Sequence, residues 1–127
     1  MKTVTTAYFR NAIAGALALA SAAAFAHPKL VSSTPADQAV VTAPAKIELH
    51  FSEDLVSQFS GAKLTMTSMP GMDMPMKMAV KVSPGDDPKT MVVTPTSPLP
   101  AGGYRVDWRA VSSDTHPITG NFSFTVK

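Results

Sequence analysis

The sequence contains no cysteine. That removes disulfide staples, thiolate metal sites and a cysteine nucleophile together. Soft-metal chemistry in this chain is left to methionine sulfur. Charge is sparse as well, at 16% of residues, so the chain lacks the high-charge, low-hydrophobicity signature of disorder. Beyond residue 26 no long helical period is present. There is also no Gly-x-Ser-x-Gly elbow, phosphate loop or zinc-protease motif. Glu53 and Asp54 are adjacent, and neighbours on a strand face opposite ways, so they make a poor acid pair.

The first 26 residues have a different character. Lys2 and Arg10 supply positive charge, residues 12–24 are Ala, Leu, Ile and Gly broken by Ser21, and Ala24-Phe25-Ala26 has the small-x-small form cut by signal peptidase. An uncleaved anchor is the other reading, but the apolar run falls short of the about 20 residues a membrane span needs. The expectation is a secretory signal peptide over 1–26 and a single mature domain over 27–127, exported to the periplasm. Lys2 and Arg10 account for the whole excess of 11 basic over 9 acidic residues. The mature part is formally neutral, so the basic pI gives no ground for a nucleic acid partner or an anionic membrane. No stable membrane insertion is expected after cleavage.

Short runs of period two fill the mature part. Ile47, Leu49 and Phe51 alternate with Glu48 and His50. Tyr104, Val106, Trp108 and Ala110 alternate with Arg105, Asp107 and Arg109, and Phe122, Phe124 and Val126 with Ser123 and Thr125. Each reads as a strand with one buried face. Weaker strands are expected at 29–33, 62–67, 78–83 and 90–94, separated by Pro- and Gly-rich turns. Seven short strands in about 100 residues indicate an all-β, Greek-key sandwich or barrel.

Three features carry metal chemistry. Cleavage after Ala26 gives His27 a free α-amine, which can chelate one ion together with its own imidazole Nδ1, a donor pair suited to Cu(II). Pro28 has no backbone N–H, so the next amide cannot join the ion and room is left for ligands from elsewhere. Taken alone, His27 is also what a frayed terminus looks like. In Ser113-Asp114-Thr115-His116-Pro117, Asp114 and His116 are two apart. An extended segment puts both on one side, and Pro117 favours extension at His116. Taken alone, the same motif is an ordinary polar loop. The third feature is a methionine cluster: Met66, Met69, Met72, Met74, Met76 and Met78 lie within thirteen residues. Thioethers favour Cu(I). A core stripe is the plain alternative, although Pro70, Gly71 and Pro75 interrupt regular pairing. His50 sits on the polar face of its strand and reads as a solvated surface histidine. Glu53 is of more interest as an outer ligand.

Together these segments resemble the periplasmic copper-resistance proteins called CopC and PcoC. The resemblance runs through His27-Pro28-Lys29-Leu30, Ser33-Thr34-Pro35-Ala36, Leu49-His50-Phe51-Ser52-Glu53, the Met-rich loop, Tyr104-Arg105-Val106-Asp107-Trp108, and 113–120. It implies a seven-stranded, immunoglobulin-like (cupredoxin-like) Greek-key barrel. It implies a Cu(II) site of His27 amine and imidazole, Asp114 and His116, with Glu53 the weaker candidate. It also implies a Cu(I) site drawn from Met66, Met69, Met72, Met74, Met76 and Met78. Some relatives place a histidine in that loop; this chain has none there. The implied role is a copper carrier and not an enzyme, handing copper to an inner-membrane copper transporter or a periplasmic copper oxidase. Two rivals remain: a copper-dependent oxidative enzyme using an amino-terminal histidine, and a metal-free immunoglobulin-like module.

Overall fold

The alternating runs fold as strands with their apolar members inward. The computed structural model describes residues 27–71 and 73–127; the segment 1–26 expected as a leader, and Met72, lie outside the described residues. The described residues form nine strands in chain order: β1 (Leu30–Thr34), β2 (Val40–Val41), β3 (Ile47–Phe51), β4 (Gly61–Ser68), β5 (Met76–Met78), β6 (Val80–Pro84), β7 (Thr90–Pro95), β8 (Gly102–Val111) and β9 (Pro117–Val126). One 3-10 turn, Ser57–Phe59, precedes β4. The strands form two sheets, β1-β3-β7-β6 and β2-β9-β8-β4-β5. Every hydrogen-bonded pair is antiparallel except the two-residue contact of β2 with the end of β9.

All seven expected strands are present, and two differences have local causes. Strand β2 is too short to show an alternation. The single strand expected over 78–83 is two strands divided at Ala79, where the chain crosses from the second sheet to the first. Strand β5 pairs with β4 and β6 with β7, and the Ala79 carbonyl at the crossing accepts the Thr96 N–H at 3.1 Å. Sandwiches turn corners by such switches, and period two runs through them unbroken.

The core lies between the sheets and is richest around β8. Tyr104 is fully buried. Its hydroxyl donates to the Pro100 carbonyl at 2.6 Å, its ring stacks on Phe124 at 5.5 Å, and burial pushes the phenol above its ordinary pKa. Trp108 meets Phe51 edge-on at 5.1 Å and lies across its strand partner Gly120. The sandwich has two ends. At one, β8 and β9 are joined by residues 112–116. At the other, Gly103 pairs with Ser68, the last residue of β4, and the chain departs into the Met-rich loop. The ten residues of β8 separate these ends by about 30 Å at about 3.3 Å per residue.

Trp108 requires glycine at its partner position. A Cβ on Gly120 would stand 2.8 Å from Trp108 Cε2, inside van der Waals contact with a rigid ring. Gly120→Ala is expected to destabilise the domain by about 1–3 kcal/mol. The measurement is urea unfolding, where the midpoint should fall and the slope stay unchanged.

Candidate metal centre

The segment at His27, expected to fray, is held. Pro28 is fully buried. Lys29 exchanges two bonds with Ser52: its N–H donates to Ser52 Oγ at 2.9 Å, and its carbonyl accepts the Ser52 N–H at 2.9 Å. His27 therefore begins the described chain from a fixed base at the end of the sandwich. Its ring stands over the β8–β9 loop, with Nδ1 2.7 Å from Asp114 Oδ2. His116 approaches the same oxygen, Nδ1 to Oδ2 at 4.0 Å, and the two imidazole centroids are 5.9 Å apart. One donor atom from each of His27, Asp114 and His116 lies within 4.8 Å of the others; among the described residues no other group of three His, Asp or Glu does so.

Asp114 is the centre of this arrangement. Its side chain is 6% exposed, while both imidazoles are largely open to solvent. Oδ1 accepts the His116 N–H at 3.0 Å and the Ser112 hydroxyl at 3.2 Å. Oδ2 is buried and accepts no well-aligned hydrogen bond. Its one close polar neighbour is His27 Nδ1 at 2.7 Å, near enough for the imidazole to favour the ionised carboxylate. The carboxyl pKa lies below its ordinary 3.8, chiefly through the His116 N–H, with the Ser112 hydroxyl and His27 adding to it against the opposing effect of burial. The result is an ionised carboxylate with one oxygen tied to the backbone and one lone-pair edge turned toward two imidazoles.

The loop achieves this differently from the extended segment expected. Ser112 and Thr115 close a turn, with the Thr115 N–H donating to the Ser112 carbonyl at 2.9 Å. Thr115 has φ +64°, left-handed backbone that a β-branched residue occupies at a cost on the order of 1–3 kcal/mol. The turn, with Asp114 Oδ1 gripping the His116 N–H, brings the two side chains together where strand alternation was expected to do so. Pro117 opens β9 instead of extending the loop.

The other expected residues fall in several places. Glu53 is half-buried and outside the three-residue group. His50 is half-buried rather than freely solvated: its Nδ1 lies 3.1 Å from Thr90 Oγ1, and Asp87 accepts from the same hydroxyl at 3.2 Å. Met66 is a core residue at 1% exposure. Met76 pairs with it across β4–β5, and Met78 pairs with Leu64 and packs against the core. Met69, Met74 and Met76 are exposed, and Gly71 turns the loop with φ +82°. The Met-rich loop and the His27–Asp114–His116 group stand at opposite ends of β8. Sequence reasoning missed Ser52 as the anchor of the terminus and Ser112 as a partner of Asp114. Ser52 left a trace only as the residue before Glu53.

The family model described as CopC domain matches residues 30–127. Copper resistance protein C of Pseudomonas syringae pv. tomato is 71% identical over 110 residues, covering 86% of this chain and 87% of that protein. Copper resistance protein C of Escherichia coli is 66% identical over 106 residues, covering 82% and 84%. PcoC, a methionine-rich copper resistance protein from Escherichia coli, superposes with TM-scores of 0.77 and 0.76 in two crystal structures, the first of the selenomethionine protein. Identity is 65% and 66%, covering 78% and 80% of this chain and 99% and 100% of those.

The lowered pKa of Asp114 makes folding stability pH-dependent in a defined sense. A carboxylate depressed in the folded state contributes stability that is present above its ordinary value of 3.8 and is lost as pH falls through the lowered folded value. Acid unfolding of the metal-free protein should therefore include a component below 3.8 that Asp114→Asn removes. Thermal midpoints of the two proteins, measured down the acid range, should diverge least at the acid end.

Proposed function

The chain belongs to the CopC domain family, and on that premise we propose that its mature form is a periplasmic copper carrier with two chemically different sites. The observation that carries this reading is the convergence of three donor residues on one point: the buried carboxylate oxygen Asp114 Oδ2 lies 2.7 Å from His27 Nδ1 and 4.0 Å from His116 Nδ1. A buried carboxylate is costly unless it is paired, and a cation held between it and the two imidazoles would pair it. The donor set of nitrogens and one carboxylate oxygen suits Cu(II). Removal of residues 1–26 completes it, because the His27 nitrogen is an amide in the precursor and an amine afterwards. Glu53 is kept as an outer contributor.

The soft site draws on Met69, Met74 and Met76, with Met72 and Met78 as further donors, and it suits Cu(I). Met66, beside Met76 on the same face of the sheet, supports this site from the core. Asp114 would occupy a position on Cu(II) that an oxidative enzyme using an amino-terminal histidine keeps open, which favours a carrier over such an enzyme. The length of β8, about 30 Å, favours transfer to a partner over direct handover between the two sites of one molecule. Copper leaves or changes site through a second molecule, and an inner-membrane copper transporter or a periplasmic copper oxidase fits that role.

Two measurements test the assignment. Copper titration of protein beginning at His27 is compared with protein carrying one additional residue before it. Cu(II) affinity should fall by more than about 100-fold, since a ligand is lost and not merely its support, while Cu(I) affinity stays level. Unchanged Cu(II) affinity would mean that the amine is not a ligand. In the second, Cu(II) affinity should drop between about pH 7 and about pH 5 because nitrogen donors must shed protons to bind, whereas thioethers need not. Equal pH dependence at both sites overturns the donor sets.

A further inference from the structure

Thioethers bind soft ions, and they also accept oxygen atoms. In a chain without cysteine, methionine is the first sulfur a peroxide meets, and access decides which one. Met78 is half-buried against the core, and five other described methionines divide sharply in access. Met69, Met74 and Met76 are 41%, 73% and 53% exposed, against 1% for Met66 and 3% for Met91. Met66 and Met76 are partners across the same strand pair, so the division falls between two neighbours on one face of one sheet.

We infer that Met69, Met74 and Met76 form a peroxide-sensitive modification site whose oxidation switches off the soft copper site and spares the rest of the protein. The inference rests on the reading of this loop as the Cu(I) site. In the reaction the sulfur lone pair attacks the outer oxygen of a hydroperoxide. An S–O bond forms, the O–O bond breaks, and the proton passes to the departing oxygen, leaving a sulfoxide and an alcohol or water. Sulfur loses two electrons and the peroxide gains them. A dithiol reductant reverses the change: the sulfoxide oxygen leaves as water and the dithiol becomes a disulfide.

The geometry makes this oxidation selective. It replaces a soft sulfur donor by a polar S–O group whose oxygen is a hard donor, mismatched to Cu(I). At the three exposed positions the new oxygen enters solvent, so the fold carries no desolvation cost. At Met66 or Met91 the same oxygen would be buried in an apolar core without a partner, and peroxide has no path to the sulfur. The nitrogen–oxygen group, about 30 Å away along β8, contains no sulfur and keeps its donors. The protein would then lose one copper oxidation state and retain the other under peroxide, and regain the first on reduction.

The test treats metal-free processed protein with hydrogen peroxide and maps the product by peptide mass spectrometry. One oxygen should be added at each of Met69, Met74 and Met76 before Met66 or Met91 gains any. Cu(I) affinity, read by competition with a chromophoric chelator, should fall at least tenfold. Cu(II) affinity and the thermal midpoint should not change, and methionine sulfoxide reductase with a dithiol should restore Cu(I) binding. Oxidation of Met66 at the rate of Met76, or full Cu(I) affinity in the oxidised protein, overturns the inference. If untreated protein fails to bind Cu(I), the reading of the loop as a soft site falls and the switch with it. Retained binding before and after oxidation overturns the switch alone.

Discussion

The ten-residue ladder between β8 and β9 is the constraint on which the rest depends. It runs from Gly102–Val126 to Val111–Pro117 without a register shift. Its inward side carries Tyr104, Val106 and Trp108 opposite Phe124, Phe122 and Gly120, which supplies much of the core. A slip of one residue would turn these side chains to solvent and would also slide Asp114 away from His27. The close fit of Trp108 over Gly120 opposes any such slip, since no other residue type leaves the ring its space. The position of the loop that carries Asp114 and His116 is thus set by apolar packing several residues away from it.

At the end of that ladder the two oxygens of Asp114 have separate tasks. Oδ1 is spent on the His116 N–H and the Ser112 hydroxyl, which holds the carboxylate and the following histidine in one orientation. Oδ2 is turned to the imidazoles of His27 and His116. The left-handed Thr115 is the conformational cost of this arrangement, and the two bonds to Oδ1 offset it. The third donor residue comes from a different part of the chain, and the plug of Pro28 with the Lys29–Ser52 bonds does for His27 what the turn does for Asp114. Both halves are organised by the fold itself, so the proposed copper binding would order few additional groups.

Much of this was legible in the sequence, and the parts that were not share a cause. Period two marked every long strand, because alternation follows from the pleat alone. It could not mark the break at Ala79, since a strand that changes sheets keeps its alternation. The pairing of Asp114 with His116 was foreseen from their spacing, but through an extended segment. The left-handed turn depends on hydrogen bonds to Ser112, and nothing in the residue order announces those. His50 was read as solvated because its partners Thr90 and Asp87 lie some forty residues away in sequence. Pro28 was noted for the N–H it lacks, whereas its burial depends on the whole end of the sandwich.

The methionines show how far pattern reaches. Six of one residue type in a short stretch suggested one function, and the structure divides them. Met66 stands two residues from Leu64 on the inward side of β4, the position a strand gives to its core, and its thioether fills space there as methionine often does. Met69 and Met74 lie on either side of the turn at Gly71, past the point where β4 has an inward side. Met76 joins the two sets, aligned with Met66 by strand pairing but exposed because β5 is an edge of its sheet. The same side chain is thus inert packing at one position and an open donor at the next. The point at which β4 ends separates the two, so the chemistry of this loop depends on the length of that strand as much as on the residues of the loop itself.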